Sequence, residues 1–178
     1  MEPARALGQD ALERCRRVFG PDHVLTLWAA TVLTLALTQF GEAEPARALG
    51  EDTLQRCRRA YSPDHLVTLW AAASTTAALA ALDEVEPARA LGEDTLRRAR
   101  RVFGPDHLVV LRAASALTHA LVQLGEVERA RVLGEDTLER CRRVLAPDHP
   151  IAQYLVQAAS IDQPLGDDAA ADRPDPQP

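Results

Sequence analysis

The sequence predicts an all-α fold, a solenoid of stacked antiparallel helix pairs, on three observations. The tripeptide Pro-Asp-His recurs with a constant spacing of 42 residues, at 21–23, 63–65, 105–107 and 147–149. A Leu-Gly motif recurs with the same spacing and ends at Gly8, Gly50, Gly92 and Gly134. Hydrophobic residues make up 47% of the chain but aromatic residues only 4%, so the core must come from Ala, Leu and Val. A fixed period of this length is typical of repeat arrays, and the composition favours helices.

Each copy predicts a first-type helix that begins at the Pro-Asp-His turn, such as the helix from Asp64 to about Leu82. Aspartate suits the N-cap because its carboxylate accepts hydrogen bonds from free backbone N–H groups, and the proline before it cannot continue an earlier helix. These helices should end at Gly41 and Gly125, because glycine commonly follows a helix, and Asp83 takes the place of glycine in the middle copy.

A second-type helix should follow, beginning at Pro45 or Pro87, because proline is favoured at the first position of a helix. One face carries apolar or small residues at spacings of three and four: Ala46, Leu49, Thr53, Leu54 and Cys57. The other face should be solvated and carry i,i+4 ion pairs of about 0.2–0.5 kcal/mol each. These pairs are Asp52–Arg56, Glu93–Arg97, Asp94–Arg98 and Asp136–Arg140.

The four repeated glycines fall inside the second-type helices, where glycine costs about 1 kcal/mol relative to alanine. Their constant phase suggests that a neighbouring helix approaches too closely for a side chain. The alternative is that each helix is broken at its glycine.

The array should cover residues 1–161. It starts on a second-type helix, from Pro3 to Phe19, and ends on a first-type helix, from Asp148 to Ile161. Residues 162–178 contain five aspartates and little apolar surface, which predicts a disordered acidic tail.

Composition excludes several function classes. The net charge of −6 argues against binding to nucleic acid or to a membrane surface, and no run approaches the roughly 18 apolar residues that span a bilayer. The three cysteines, Cys15, Cys57 and Cys141, are too few and too far apart in sequence to suggest a disulfide framework, and packing is the expected role. Because free cysteines are typical of a reducing compartment, a cytoplasmic location is expected. Phosphate-binding loops and hydrolase motifs are absent, and the Pro-Asp-His histidines lie at successive helix starts. We therefore predict no enzyme activity, no cofactor and no metal.

Two blocks carry a family resemblance: Gly125-Glu-Val-Glu-Arg-Ala130, and the block from Arg143 through the Pro-Asp-His that ends at His149. They resemble the 42-residue tetratricopeptide repeats (TPRs) of kinesin light chains and of many bacterial signalling proteins, over essentially all of 1–161. The resemblance implies a right-handed superhelix whose first-type helices line a concave ligand-binding face. The chain departs from it where such repeats often carry an asparagine pair; the matching positions are Thr31-Val32, Ala73-Ser74, Ser115-Ala116 and Gln157-Ala158.

One phase of the first-type helix stands out, with Trp28, Trp70, Arg112 and Tyr154 at successive 42-residue steps. It holds both tryptophans of the chain, and Trp, Tyr and Arg are enriched at binding hot spots. By register with the family this column faces the concave side, and we expect each member to be at least partly exposed. The alternative is that the Trp rings only pack between neighbouring repeats.

These features predict a scaffold module that binds a protein or peptide on its concave face. The alternative is a regulatory or sensor array cut from a larger bacterial signalling protein of the nucleotide-switch ATPase type. The apolar stripe of the N-terminal helix lacks a partner helix, so self-association is also expected there, with the C-terminal helix of another copy or with an upstream segment.

Overall fold

The structure is a computed structural model, and it describes residues 2–145 together with residues 149, 151 and 153. The described part contains no strand and seven helices: α1 (Glu2–Phe19), α2 (Val24–Gln39), α3 (Ala43–Ala60), α4 (Leu66–Ala81), α5 (Val85–Phe103), α6 (Leu108–Gln123) and α7 (Val127–Val144). The all-α prediction is confirmed. Tyr154, the rest of the helix predicted over 148–161 and the tail predicted over 162–178 lie outside the described residues.

The helices form two layers. The first-type helices α2, α4 and α6 make one layer, in which α4 packs against both α2 and α6. The second-type helices α1, α3, α5 and α7 make the other layer, and among the described helices none of these four packs against another. Each packs instead against its first-type neighbours in the chain. Packing therefore stays between near neighbours, as it does in a helical repeat solenoid.

The Pro-Asp-His turns cap the first-type helices through histidine. The prediction that aspartate is the N-cap is wrong, because each helix begins one residue later than expected. His65 Nδ1 accepts a hydrogen bond from the backbone N–H of Val67 at 3.3 Å. The same hydrogen bond, from the backbone N–H two residues later, is accepted by His23, His107 and His149 from Leu25, Val109 and Ile151 in turn. The His65 ring also stacks on Tyr61, with ring centroids 4.7 Å apart. Phe19–His23 and Phe103–His107 repeat this stack.

The aspartates of these turns form ion pairs with the following second-type helix. Asp64 Oδ1 lies 3.2 Å from Arg98 Nη1, and this hydrogen bond lowers the pKa of the Asp64 carboxyl. The same pair recurs in the other copies, as Asp22–Arg56 at 3.0 Å and Asp106–Arg140 at 2.9 Å. The aspartates of these three turns therefore link each turn to a helix in the other layer.

The second-type helices begin two residues before their prolines. α3 starts at Ala43 and α5 at Val85, so Pro45 and Pro87 are third residues and not first residues, contrary to the prediction. Proline is tolerated there because the first four N–H groups of a helix have no intrahelical partner. The predicted helix ends are confirmed, since Gly41 and Gly125 have φ angles of 78° and 72° and Asp83 has a φ of 60°.

The predicted ion pairs on the second-type helices are mostly present. Asp52–Arg56, Asp94–Arg98 and Asp136–Arg140 lie within 2.8–2.9 Å. The pairing of Glu93 with Arg97 is wrong, because each has a different partner. Arg97 pairs with Asp94, while Glu93 reaches Arg129 of the next repeat at 2.9 Å. The charged face therefore also links neighbouring repeats.

The repeated glycines lie in unbroken helices, and the close approach that the constant phase predicted is tightest at Gly50 and Gly92. A Cβ built on Gly50 would lie 2.8 Å from Thr75 Oγ1 and 3.1 Å from Thr34 Cγ2. At Gly92 the nearest atoms, on Leu117 and Thr76, would both be 3.1 Å away. The alternative of a broken helix is thus wrong.

Candidate functional site

The first-type helices α2, α4 and α6 make up what we call the inner layer, and they pack against one another along the array. The second-type helices lie farther apart and are linked by side-chain ion pairs such as Glu93–Arg129. The predicted column lies on the first-type helices, and the structure brings its first two members together. The rings of Trp28 and Trp70 meet edge to face across α2 and α4, with centroids 5.7 Å apart and an interplanar angle of 67°. Trp28 is 37% exposed and Trp70 is partly buried.

The other members of the column differ from the expectation. Arg112 is only 3% exposed, so the prediction that every member is at least partly exposed is wrong at this position. The reason is the packing of α6, whose residues from Val109 to Thr118 are all buried. Tyr154 lies outside the described residues. Among the described members of the column, the Trp28–Trp70 pair offers aromatic surface to solvent.

The inner surface is closed along the middle of α4. Ser74 and Ala77, which lie one and two turns beyond Trp70 on the same side of the helix, are both fully buried. Most residues of α4 are Ala, Ser or Thr, and these small side chains let α2 and α6 approach it closely. An open groove along α4 is therefore absent, and the accessible inner surface near the pair continues along α2 instead.

Of the six described positions that match the family's asparagine pair, five are buried and one, Val32, is 54% exposed. Ser74 and Ser115 have no exposed surface, and Thr31 is 4% exposed with its hydroxyl donating to the Leu27 carbonyl at 2.8 Å. These side chains pack between helices. Val32 has no amide group, so the described positions do not offer an asparagine-type clamp to the backbone of a ligand.

A second exposed apolar surface lies at the N-terminal end of the array, and sequence reasoning found only the part of it that lies on α1. Leu7 on α1 is 70% exposed, and Leu25 and Val32 on α2 are 50% and 54% exposed. The apolar stripe of α1 is visible in the sequence, whereas the exposure of Leu25 and Val32 on α2 is not. The register misleads at this end of the array. Leu25 and Val32 occupy phases at which the later copies bury their side chains.

Titratable groups do not assemble a reactive centre in the part of the chain that the structure describes. No group of three or more His, Cys, Asp or Glu residues there could hold a metal ion. Cys57 is fully buried, and burial raises the pKa of its thiol to about 12. Burial likewise raises the pKa of the Cys141 thiol and lowers that of His119. Among the described helices, none is long and apolar enough to cross a membrane.

Models of the tetratricopeptide repeat match residues 1–59, 68–108 and 110–151, which together make up well over half of the chain. The chain belongs to the tetratricopeptide repeat family. TPRs generally mediate protein–protein interactions, and scaffolds of this family are generally not enzymes. No curated protein matches the chain.

Solved structures that share the TPR fold with this chain include the following two. A kinesin light chain from Podosopora anserina with nearly identical TPR-like repeats has a TM-score of 0.65 and 20% identity, over 89% of this chain and 77% of that one. BtubC (BKLC) from P. vanneervenii also has a TM-score of 0.65, with 18% identity over 90% of this chain and 64% of that one. The repeats of this TPR protein are thus similar to those of kinesin light chains.

Proposed function

We propose that this TPR array binds a protein or peptide on its inner face, with the Trp28–Trp70 pair as the anchoring contact. The observation that carries the proposal is the exposure of this pair. Both tryptophans of an aromatic-poor chain meet at one place on the inner layer, and Trp28 keeps 37% of its surface open to solvent. Tryptophan is among the residues most enriched at binding hot spots.

The sequence left two roles open for the tryptophans, ligand binding and packing between neighbouring repeats, and the edge-to-face contact of the two rings supports both. It packs the second repeat against the first, and it also holds the exposed ring in one orientation. A rigid aromatic surface loses little side-chain entropy when a ligand covers it. The proposed anchor is therefore preorganised.

The surroundings of the pair indicate the chemistry of the ligand. On the inner side of α2, Leu35 lies one turn beyond Val32 and is partly buried, and Gln39 lies two turns beyond Val32 and is exposed. The surface is therefore mainly apolar with a polar edge. Arg112 is buried and does not offer its charge to a ligand. We therefore expect a peptide with an apolar or aromatic anchor residue, lying along α2 rather than over the closed middle of α4.

The test is a selection of peptides from a displayed library, followed by calorimetric affinities for the selected peptides. Replacing Trp70 by alanine should weaken binding by more than tenfold, which is about 1.4 kcal/mol, because the anchor loses one ring and Trp28 loses its support. Val102→Ala is the control. Val102 is an apolar residue that is 46% exposed on α5 and lies outside the column, so its removal should leave the affinity unchanged.

Thermal melting of the same variants separates binding from packing. If Trp70→Ala lowers the melting temperature by several degrees and leaves the affinity intact, the rings are structural and the proposal is wrong.

A further inference from the structure

The C-terminal ends of the second-type helices carry a concentration of positive charge. Each of these helices ends on two exposed arginines: Arg16 and Arg17 on α1, Arg58 and Arg59 on α3, Arg100 and Arg101 on α5, and Arg142 and Arg143 on α7. Because the second-type helices all run in the same direction, these ends lie at one edge of the array, which we call the basic edge. It gathers eight positive charges in a chain whose net charge is −6.

Several arginines of the basic edge differ from the rest in their ion pairs. Outside this edge, each described arginine of the second-type helices pairs with a carboxylate. Arg16, Arg58 and Arg59 form no ion pair with a described carboxylate. A later counterpart does, since Arg100 lies 3.7 Å from Asp136. The equivalent aspartates for the three unpaired arginines are present, but each pairs with a different arginine. Three guanidinium groups are therefore available to the carboxylates of another molecule.

Exposed apolar side chains accompany these arginines. A cation at the C-terminal end of a helix offsets the negative end of the helix dipole, which explains arginines at this position. It does not explain Val18, Val102 and Val144, which directly follow the arginine pairs of α1, α5 and α7 and are 67%, 46% and 47% exposed. Arginine beside apolar surface is typical of protein interfaces, where arginine is enriched.

A cavity of about 310 Å³ lies beside Arg58, between α3, α4 and α5. Its charged lining residues are Arg58, Arg98 and Asp94, so it has an excess of positive charge. Thr68 also lines the cavity, and its hydroxyl is buried without a hydrogen-bond partner among the described residues. Since buried hydroxyls are usually hydrogen-bonded, this wall holds a polar group that the described protein leaves unused. The cavity is large enough for one acidic side chain.

We propose that the basic edge binds an extended acidic segment of a partner protein, with one carboxylate in the cavity beside Arg58. Neighbouring first-type helices pack directly, and packed helices lie about 8–10 Å apart, so the arginine pairs recur at a step of roughly 10 Å. In an extended polyproline II segment every third side chain points the same way, about 9 Å farther along. Carboxylates at every third residue therefore match the arginine pairs. The net charge of −6 disfavours nucleic acid, because the rest of the surface repels a chain of phosphates.

Fluorescence anisotropy of labelled peptides, each of about twelve residues, tests the proposal at low salt. A spaced peptide carries glutamate at every third residue, a neutral peptide carries glutamine instead, and a blocked peptide has the composition of the spaced one with its glutamates consecutive. The full chain should bind the spaced peptide about tenfold more tightly than the blocked one, and the neutral peptide should not bind.

Arg58→Gln should weaken binding of the spaced peptide about tenfold, because it removes a charge-assisted hydrogen bond. Arg58 is exposed, so circular dichroism should show an unchanged helix content. Arg131→Gln is the matched control. It removes the same charge from an exposed position in the N-terminal half of α7, away from the basic edge, and should leave the affinity unchanged.

The proposal is wrong if the full chain binds no acidic peptide at low salt. Equal affinity for the spaced and blocked peptides would show unspecific attraction, and equal effects of Arg58→Gln and Arg131→Gln would place the contact elsewhere. Tighter binding of a single-stranded oligonucleotide of similar length would assign the edge to nucleic acid instead. Trp70→Ala should leave the affinity for the spaced peptide unchanged, so a failure here is distinguishable from a failure of the proposed ligand site.

Discussion

Replacing Gly50 with alanine should destabilise the array, although alanine is the better helix former. Gly50 lies inside α3, where alanine would gain about 1 kcal/mol in helix propensity. The new Cβ would lie 2.8 Å from Thr75 Oγ1 and 3.1 Å from Thr34 Cγ2. Overpacking of this kind typically costs about 1–3 kcal/mol. The sign of the change therefore depends on whether the two threonines can move.

Both threonines are held in place. Thr75 Oγ1 donates a hydrogen bond to the Ala71 carbonyl at 2.8 Å, and Thr34 Oγ1 donates to the Ala30 carbonyl at 2.9 Å. Each is at most 1% exposed, so rotation of either side chain would leave a buried hydroxyl without its partner. The overpacking cost should thus be near the upper part of its range, and we expect a net loss of about 1–2 kcal/mol.

Gly134→Ala is the matched control, because among the described residues its Cβ would meet only Thr118 Cγ2, at 3.3 Å. There the propensity gain should outweigh a small packing cost, and stability should rise by roughly 0.5 kcal/mol. Urea unfolding measures both changes as shifts of the midpoint at constant slope. A second comparison, Thr75→Ala combined with Gly50→Ala, should recover part of the loss, because the two sites are coupled. If Gly50→Ala raises the midpoint as Gly134→Ala does, the close-approach argument is refuted.

Two further predictions concern the turns and the buried thiols. His65→Ala should lower stability by about 1 kcal/mol because it removes an N-cap acceptor, while His65→Asn should retain most of that stability; urea midpoints of the two variants decide this. At pH 8 a thiol reagent should label Cys15, which is partly exposed, and should reach Cys57 only through unfolding, because burial holds the pKa of its thiol near 12. The unfolded chain releases this proton at lower pH, so the contribution of Cys57 to stability should fall as the pH rises from about 9 toward 12. Rapid labelling of all three thiols would contradict the buried position.

The fold could be predicted from the sequence because the main evidence for it is the constant spacing of two repeated motifs. The 42-residue recurrence of Pro-Asp-His and Leu-Gly places helix starts and close contacts in register without any knowledge of side-chain geometry. The choice of His65 over Asp64 as the N-cap did not follow. Histidine is an unusual cap, and its selection here depends on the stack with Tyr61 and the ion pair of Asp64 with Arg98, which are contacts between separate segments.

The candidate site was predictable only in part, for a related reason. The shared phase of Trp28 and Trp70 was visible in the sequence, and their ring contact follows from stacking in register. The burial of Arg112 depends on how closely α4 and α6 approach, which is set by small residues spread over two helices. Register alone predicts which side of a helix a residue occupies, and exposure depends on the neighbouring helices.

The most direct test of the proposed ligand site is the fluorescence of the tryptophan pair. The chain has two tryptophans and both lie in the pair, so its tryptophan emission reports on this site alone. A selected peptide should shift the emission to shorter wavelength, because it removes water from Trp28, and the titration should saturate with the dissociation constant found by calorimetry. Saturable binding in the calorimeter with unchanged tryptophan emission would place the ligand elsewhere and contradict the account.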